Sequence, residues 1–191
     1  LDPELLRYFY AASLSPGIYD IDLSLEEFRN RVNADLQKRI ANLASRLHSL
    51  VAKIGGDGLP PGDPSPHFDR AQVGAALAAA REAFGALEYR GAMRAVNEAV
   101  QDAAPWASLD GPATRALLHA LGKAVHAIAV MLAPVTPRFA AGLAEAMGGL
   151  PLAWPEGFTP FDGANVRFTQ KPPAILPVDA KQVEKLIVAP P

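Results

Sequence analysis

The sequence predicts an all-α protein, a helical bundle followed by an extended, proline-rich C-terminal tail that ends in a short helix. Three observations predict it. Apolar residues recur at spacings of three and four through most of the first 149 positions, the period of an amphipathic helix. Alanine is abundant between Ala71 and Ala146, which suits closely packed helices. From Leu150 onward that period stops, and prolines at 151, 155, 160, 172, 173 and 177 exclude a continuous helix.

The elements follow in order. Asp2-Pro3-Glu4 starts a helix with Asp2 as its cap and Pro3 in its first turn; it runs to Ala12, before the Ser15-Pro16-Gly17 turn. Ser24-Leu25-Glu26-Glu27 fits a capping box, so a long helix is expected from Leu25 to about Ile54, where Gly55-Gly56 stops it. Wound as a helix, this stretch puts Val32, Leu36, Ile40, Leu43, Leu47, Leu50 and Ile54 on one apolar stripe. A polar ridge runs beside it: Asp35, Arg39, Asn42, Arg46, Ser49 and Lys53. Four glycines and four prolines make residues 55 to 67 a loop, and its Gly-Gly-Asp-Gly lacks the lysine and serine of a phosphate-binding loop. A helix from Asp69 to Gly85 turns Phe68, Val73, Leu77 and Phe84 inward. Another, from Tyr89 to Ala104, uses Met93, Val96 and Val100, and Pro105-Trp106 ends it. Pro112 opens a helix to Leu132 that Pro134 and Pro137 interrupt, and a further turn or two reaches Met147 before Gly148-Gly149. Asp179 caps the closing helix, which runs to Leu186.

At 191 residues, half of them apolar, the chain holds one mid-sized domain or a domain with an appendage. It has no cysteine, so disulfides, thiolate catalysis and cysteine-bound zinc are excluded within it. No apolar run approaches a membrane span and no signal peptide is visible, so a soluble cytoplasmic protein with no membrane partner is expected. The opening Leu1, in place of Met, fits an excised fragment or a processed product. The net charge is −2, but it is unevenly spread. Residues 1 to 28 carry Asp2, Glu4, Asp20, Asp22, Glu26 and Glu27 against Arg7. Residues 29 to 53 carry Arg29, Arg31, Lys38, Arg39, Arg46 and Lys53 against Asp35. Such a basic helix attracts phosphates over about one Debye length, ~8 Å at physiological salt.

Catalytic groups are few. His48, His67, His119 and His126 lack a third ligand at metal-site spacing, and His119 and His126, on one face of an apolar helix, are expected to be packed and hydrogen-bonded. No nucleophile elbow or glycine-rich fingerprint is present, and Asp20 and Asp22 read as a solvated acidic loop. The ridge carries more information. Asn42 and Arg46 stand one turn apart and can reach the same ligand group; together they offer several donors and an acceptor, which suits the edge of an exposed nucleobase. Arg39, Ser49 and Lys53 flank them as contacts for a nucleic-acid backbone. Trp106, directly after a helix-ending proline, is either a core residue or a platform on which a base can stack. Trp154, before Pro155, reads as a packing anchor. On the residues alone, a solvated surface ridge, and a bundle that docks another protein through it, remain open.

Several motifs occur in an order that resembles the methionyl-tRNA synthetases, just after their catalytic signature loop. They are Leu6-Arg7-Tyr8-Phe9, Ile21-Asp22-Leu23, Glu26-Glu27-Phe28, Arg31-Val32-Asn33-Ala34-Asp35 and Asn42-Leu43-Ala44-Ser45-Arg46. The match continues through Asn97 to Pro105-Trp106, Leu132-Ala133-Pro134-Val135-Thr136-Pro137, Lys171-Pro172-Pro173 and Val183-Glu184-Lys185-Leu186. The resemblance implies a helical bundle of the class I synthetase anticodon-binding type. Residues 1–28 would be a stem-contact-like linker region, 25–149 the bundle, and 150–191 a tail that packs back on it. Asn42 and Arg46 would read the first base of the CAU anticodon of methionine tRNA, with Trp106 stacked in the anticodon loop. The partners implied are that tRNA and the catalytic domain of a parent chain, which would hold the ATP and possibly zinc. No cofactor or metal is expected in this fragment, which lacks the nucleotide-binding and Lys-Met-Ser-Lys-Ser signatures and would be inactive by itself. The sequence departs from the family at Ala99, where an aromatic is common, and at Ala174-Ile175-Leu176-Pro177-Val178. The anticodon domains of the leucine, valine and cysteine enzymes share this architecture and are the alternative within class I.

Overall fold

A computed structural model of the chain describes residues 1–15, 17, 23–54, 65–100, 111–155 and 167–185. Among them every regular element is helical: α1 (Pro3–Ser13), α2 (Leu25–Val32), a π-helical segment (Asn33–Ala41), α3 (Asn42–Ile54), α4 (Arg70–Gly85), α5 (Tyr89–Glu98), α6 (Gly111–Leu132), α7 (Pro137–Ala146) and α8 (Ala180–Glu184).

The caps read from sequence are in place. Asp2 accepts from the Glu4 N–H at 2.9 Å; Asp69, expected only as the start of a helix, also caps it, accepting from the Gln72 N–H at 2.9 Å. Asp179 and Gln182 close a full capping box. At Ser24 only half of the expected box forms: its hydroxyl accepts from the Glu27 N–H, while the Glu27 carboxylate turns to Arg31 at 2.8 Å.

The expected helix from Leu25 to Ile54 is continuous but not uniform. Over nine residues it widens into π turns, where an N–H reaches the carbonyl five residues back, as Asn42 does to Gln37. Nothing in Asn33–Ala41 announces this; it holds no proline and no glycine. The predicted stripe is buried from Val32 to Leu47, after which Val51 goes fully inside while Leu50 and Ile54 are half-buried. Helix α5 ends at Glu98, six residues before the sequence limit of Ala104; residues 101–110 lie outside the described residues. Conversely α7 is a full ten-residue helix.

The core forms around α6, which packs against α3, α4, α5 and α7 and buries Leu117, Leu118, Leu121 and every residue from Ala124 to Leu132. By length and composition α6 could cross a membrane, contrary to the expectation that no stretch could, but 78% of that window is buried inside the bundle. One apolar cluster runs from Leu5 to Val183, so residues 1–28, set apart in sequence, give Tyr8, Phe9 and Phe28 to the same core. Glu4 ties the ends of α1 and α7 together. Thr136, the cap by position, directs its hydroxyl to the Leu132 carbonyl, and the buried Glu4 carboxylate takes the N–H groups of Arg138 (2.7 Å) and Phe139 (3.0 Å) instead. The Arg138 guanidinium adds ion pairs to Asp2 and Glu4.

The tail is strapped back on the bundle. Asn33 pairs with the backbone of Val178 through both halves of its amide, donating to the carbonyl at 2.9 Å and accepting from the N–H at 2.8 Å. Gly142 lets Pro173 lie against α7; a β-carbon there would sit 3.1 Å from the proline ring. His126, buried on α6, donates from Nε2 to the Pro151 carbonyl at 2.7 Å, and burial lowers its pKa, an effect the hydrogen bond partly offsets. His119 is buried as expected, and Trp154 packs edge-on against Phe84.

Candidate nucleic-acid interface

The polar ridge predicted along the long helix divides into two halves. The inner half is bonded to other helices, although Arg39 itself is exposed. Asp35 accepts a hydrogen bond from the hydroxyl of Tyr8 on α1 at 3.0 Å. Tyr8 is completely buried, and its hydroxyl in turn accepts from Nδ2 of Asn97 on α5 at 3.0 Å. The second Asn97 amide hydrogen goes to the Met93 carbonyl at 3.1 Å. Arg39 completes the set with a fork onto one residue, donating to Oδ1 of Asn97 at 3.1 Å and to its carbonyl oxygen at 3.0 Å. Both amide hydrogens and the amide oxygen of Asn97 are therefore used. Burial pushes the Tyr8 phenol far above its ordinary pKa, and the Asp35 carboxylate pushes it further, so the hydroxyl keeps its proton. Arg39, expected as a backbone contact, is held by the protein's own α5.

The outer half faces solvent. Asn42, Arg46, Ser49 and Lys53 are all exposed on α3. Asn42 and Arg46 are four residues apart in a true α-helical stretch, so their side chains stand on one face a turn apart. Arg46 already has an interaction within the protein, and the Ser49 hydroxyl donates to the Ser45 carbonyl at 2.9 Å, leaving its oxygen as an acceptor. The opposite side of α3 is locked by Leu43, Ala44, Leu47 and Val51, which pack against the core.

A family model for class I tRNA synthetases of the methionine type, "tRNA synthetases class I (M)", matches residues 1–48. The methionine–tRNA ligase of Myxococcus xanthus is 42% identical over 166 residues, 81% of this chain and 24% of that protein. The methionine–tRNA ligase of Burkholderia cenocepacia is 34% identical over 201 residues, 99% of this chain and 28% of that protein. The chain belongs to the methionyl-tRNA synthetase family. It spans about a quarter of the length of these relatives. Two solved structures share the fold. The free form of Mycobacterium tuberculosis methionyl-tRNA synthetase superposes with a TM-score of 0.71 at 23% identity, over 92% of this chain and 39% of that one. The same enzyme in complex with methionyl-adenylate gives 0.67 at 24% identity, over 87% and 36%.

Of the residues that the resemblance to methionyl-tRNA synthetases singled out, Asn42 and Arg46 come together on one exposed face. Trp106 lies outside the described residues, as do Pro105, Asp20 and Asp22. The basic stretch is partly spent inside the protein: Arg31 bonds Glu27 and the Ala12 carbonyl at 3.0 Å, and Arg39 bonds Asn97, while Lys38 and Lys53 stay exposed. The histidines go to separate places: His48 meets the ring of Phe168, His126 meets Pro151, and His67 is exposed. Sequence reasoning missed Tyr8 and assigned Asn97 no role. Their one signal is polarity at positions that the helical period sends inward.

Proposed function

We propose that this chain reads the anticodon CAU of methionine tRNA as part of a cytoplasmic methionine–tRNA ligase. The observation that carries the proposal is the exposure of Asn42 and Arg46, one turn apart, on a helix anchored along its opposite side. The Watson–Crick edge of an unstacked cytosine presents an amino donor beside a ring nitrogen and a carbonyl oxygen, both acceptors. The Asn42 amide oxygen can take the amino hydrogen while the Arg46 guanidinium donates to the acceptors. Lys53 and the Ser49 oxygen lie farther along the same face, where the sugar–phosphate chain of the anticodon arm would pass; Lys53 adds affinity without base preference. Trp106 is the residue whose chemistry suits stacking beneath the base, a contribution of ~1–3 kcal/mol. Arg39 serves the protein's own frame first. ATP-dependent activation of methionine, and any zinc, belongs in this reading to a catalytic part outside the sequence.

The test is binding of the full-length ligase carrying this segment to methionine tRNA and to the same tRNA with the anticodon cytosine replaced. Arg46→Ala should cost about 1–3 kcal/mol on the cognate tRNA alone and so relax the preference. Equal weakening on both tRNAs would refute base reading by Arg46.

A further inference from the structure

The Tyr8, Asp35, Arg39 and Asn97 side chains form a one-directional relay. Arg39 donates to Asn97, Asn97 donates to Tyr8, and Tyr8 donates to Asp35. The chain starts on a cation and ends on an anion, so each link polarises the next in the same sense. Both charged ends sit on the π segment, and the two neutral links come from α1 and α5. The relay therefore grips the long helix from outside at two points.

The place of that grip gives it a functional consequence. The π segment ends at Ala41, and Asn42 is the next residue. An α-helix turns by about 100° per residue, so tightening even part of the nine-residue π stretch would swing everything beyond it around the axis. π turns are rare and seldom sustained, and this one is pinned at Asp35 and Arg39. The apolar stripe alone would tolerate some rotation. The paired hydrogen bonds from Arg39 to Asn97 oppose it, because they hold the guanidinium to one residue at two points.

We propose that Tyr8 and Asn97 are positioning residues for base recognition, setting through the Asp35 and Arg39 grips the angle at which Asn42 and Arg46 meet the anticodon. This rests on the anticodon reading proposed above. Tyr8 decides the matter because it is fully buried and cannot touch RNA. Any effect of its hydroxyl on base preference must pass through the relay.

The experiment measures the ratio of dissociation constants for methionine tRNA and for its cytosine-to-uridine anticodon variant, using full-length ligase well below its unfolding midpoint. Tyr8→Phe keeps the ring and removes one link; the ratio should fall roughly three- to tenfold through loss of cognate affinity. Asn97→Asp keeps an acceptor for Arg39 but has no N–H for Tyr8, and should do the same. A structural role alone would shift the unfolding midpoint and leave the ratio in place. An unchanged ratio in both variants, with Arg46→Ala still lowering it, overturns the proposal and leaves anticodon reading intact. An unchanged ratio in Arg46→Ala removes the anticodon reading and this inference with it. Should Asn97→Asp fail to fold, Tyr8→Phe decides alone.

Discussion

The two halves of the long helix have the same kind of sequence and opposite roles. Each carries an apolar stripe and a polar ridge at helical spacing, yet Asp35 and Arg39 are clasped by α1 and α5, while Asn42, Arg46, Ser49 and Lys53 face solvent. The lesson is that ties to α1 and α5, and not the position on a helical wheel, mark Asp35 and Arg39 as part of the frame.

The comparison can be broken first at the core, where the halves should behave alike. Leu36→Ala in the π segment and Leu47→Ala in α3 both empty fully buried sites, and each should cost about 2–5 kcal/mol in urea unfolding. A much smaller loss at Leu47 would mean that the outer half is only loosely seated. On the polar side the halves should part. Asn97→Leu deprives Arg39 and Tyr8 of partners together and should cost about 2–3 kcal/mol, whereas Asn42→Leu should stay within about 0.5 kcal/mol.

Alkali sharpens the contrast further. The folded pKa of Tyr8 lies above that of an unfolded tyrosine, about 10, so the unfolded state loses its proton first. The stability that Tyr8 lends over Tyr8→Phe should therefore be constant below pH ~10 and shrink above it, by at most about 1.4 kcal/mol per pH unit. Unfolding midpoints of both proteins from pH 8 to 11 would show it; a gap that widens in alkali would contradict the sign. The smallest effect belongs to the tip of the outer half. Lys53→Ala should lower affinity for cognate and altered tRNA alike and reduce the slope of log affinity against log salt by about one.

Much of this was legible in the chain. Local signals carried far: caps at Asp2 and Asp179 lie within three residues of the N–H groups they serve, so sequence order alone reveals them. The stripe from Val32 to Leu47, and the exposure of Asn42 and Arg46, follow from a period that packing obeys. What escaped were contacts between residues far apart in the chain. Tyr8 meets Asp35 and Asn97, and Glu4 caps a helix that begins at Pro137, pairings no local pattern encodes. The π segment escaped because its residues suit an α-helix equally well, and the strap of Asn33 to Val178 holds its start from outside.

That strap has a consequence in time. Asn33 and Val178 are separated by 145 positions, and the asparagine sits at the first residue of the π segment. During synthesis the long helix is made well before Val178, so its amide clasp has to wait until the tail has left the ribosome. A nascent chain stalled before Val178 would hold a π segment whose first residue lacks its clasp. The start of the π segment is therefore secured from outside only once the tail has been made.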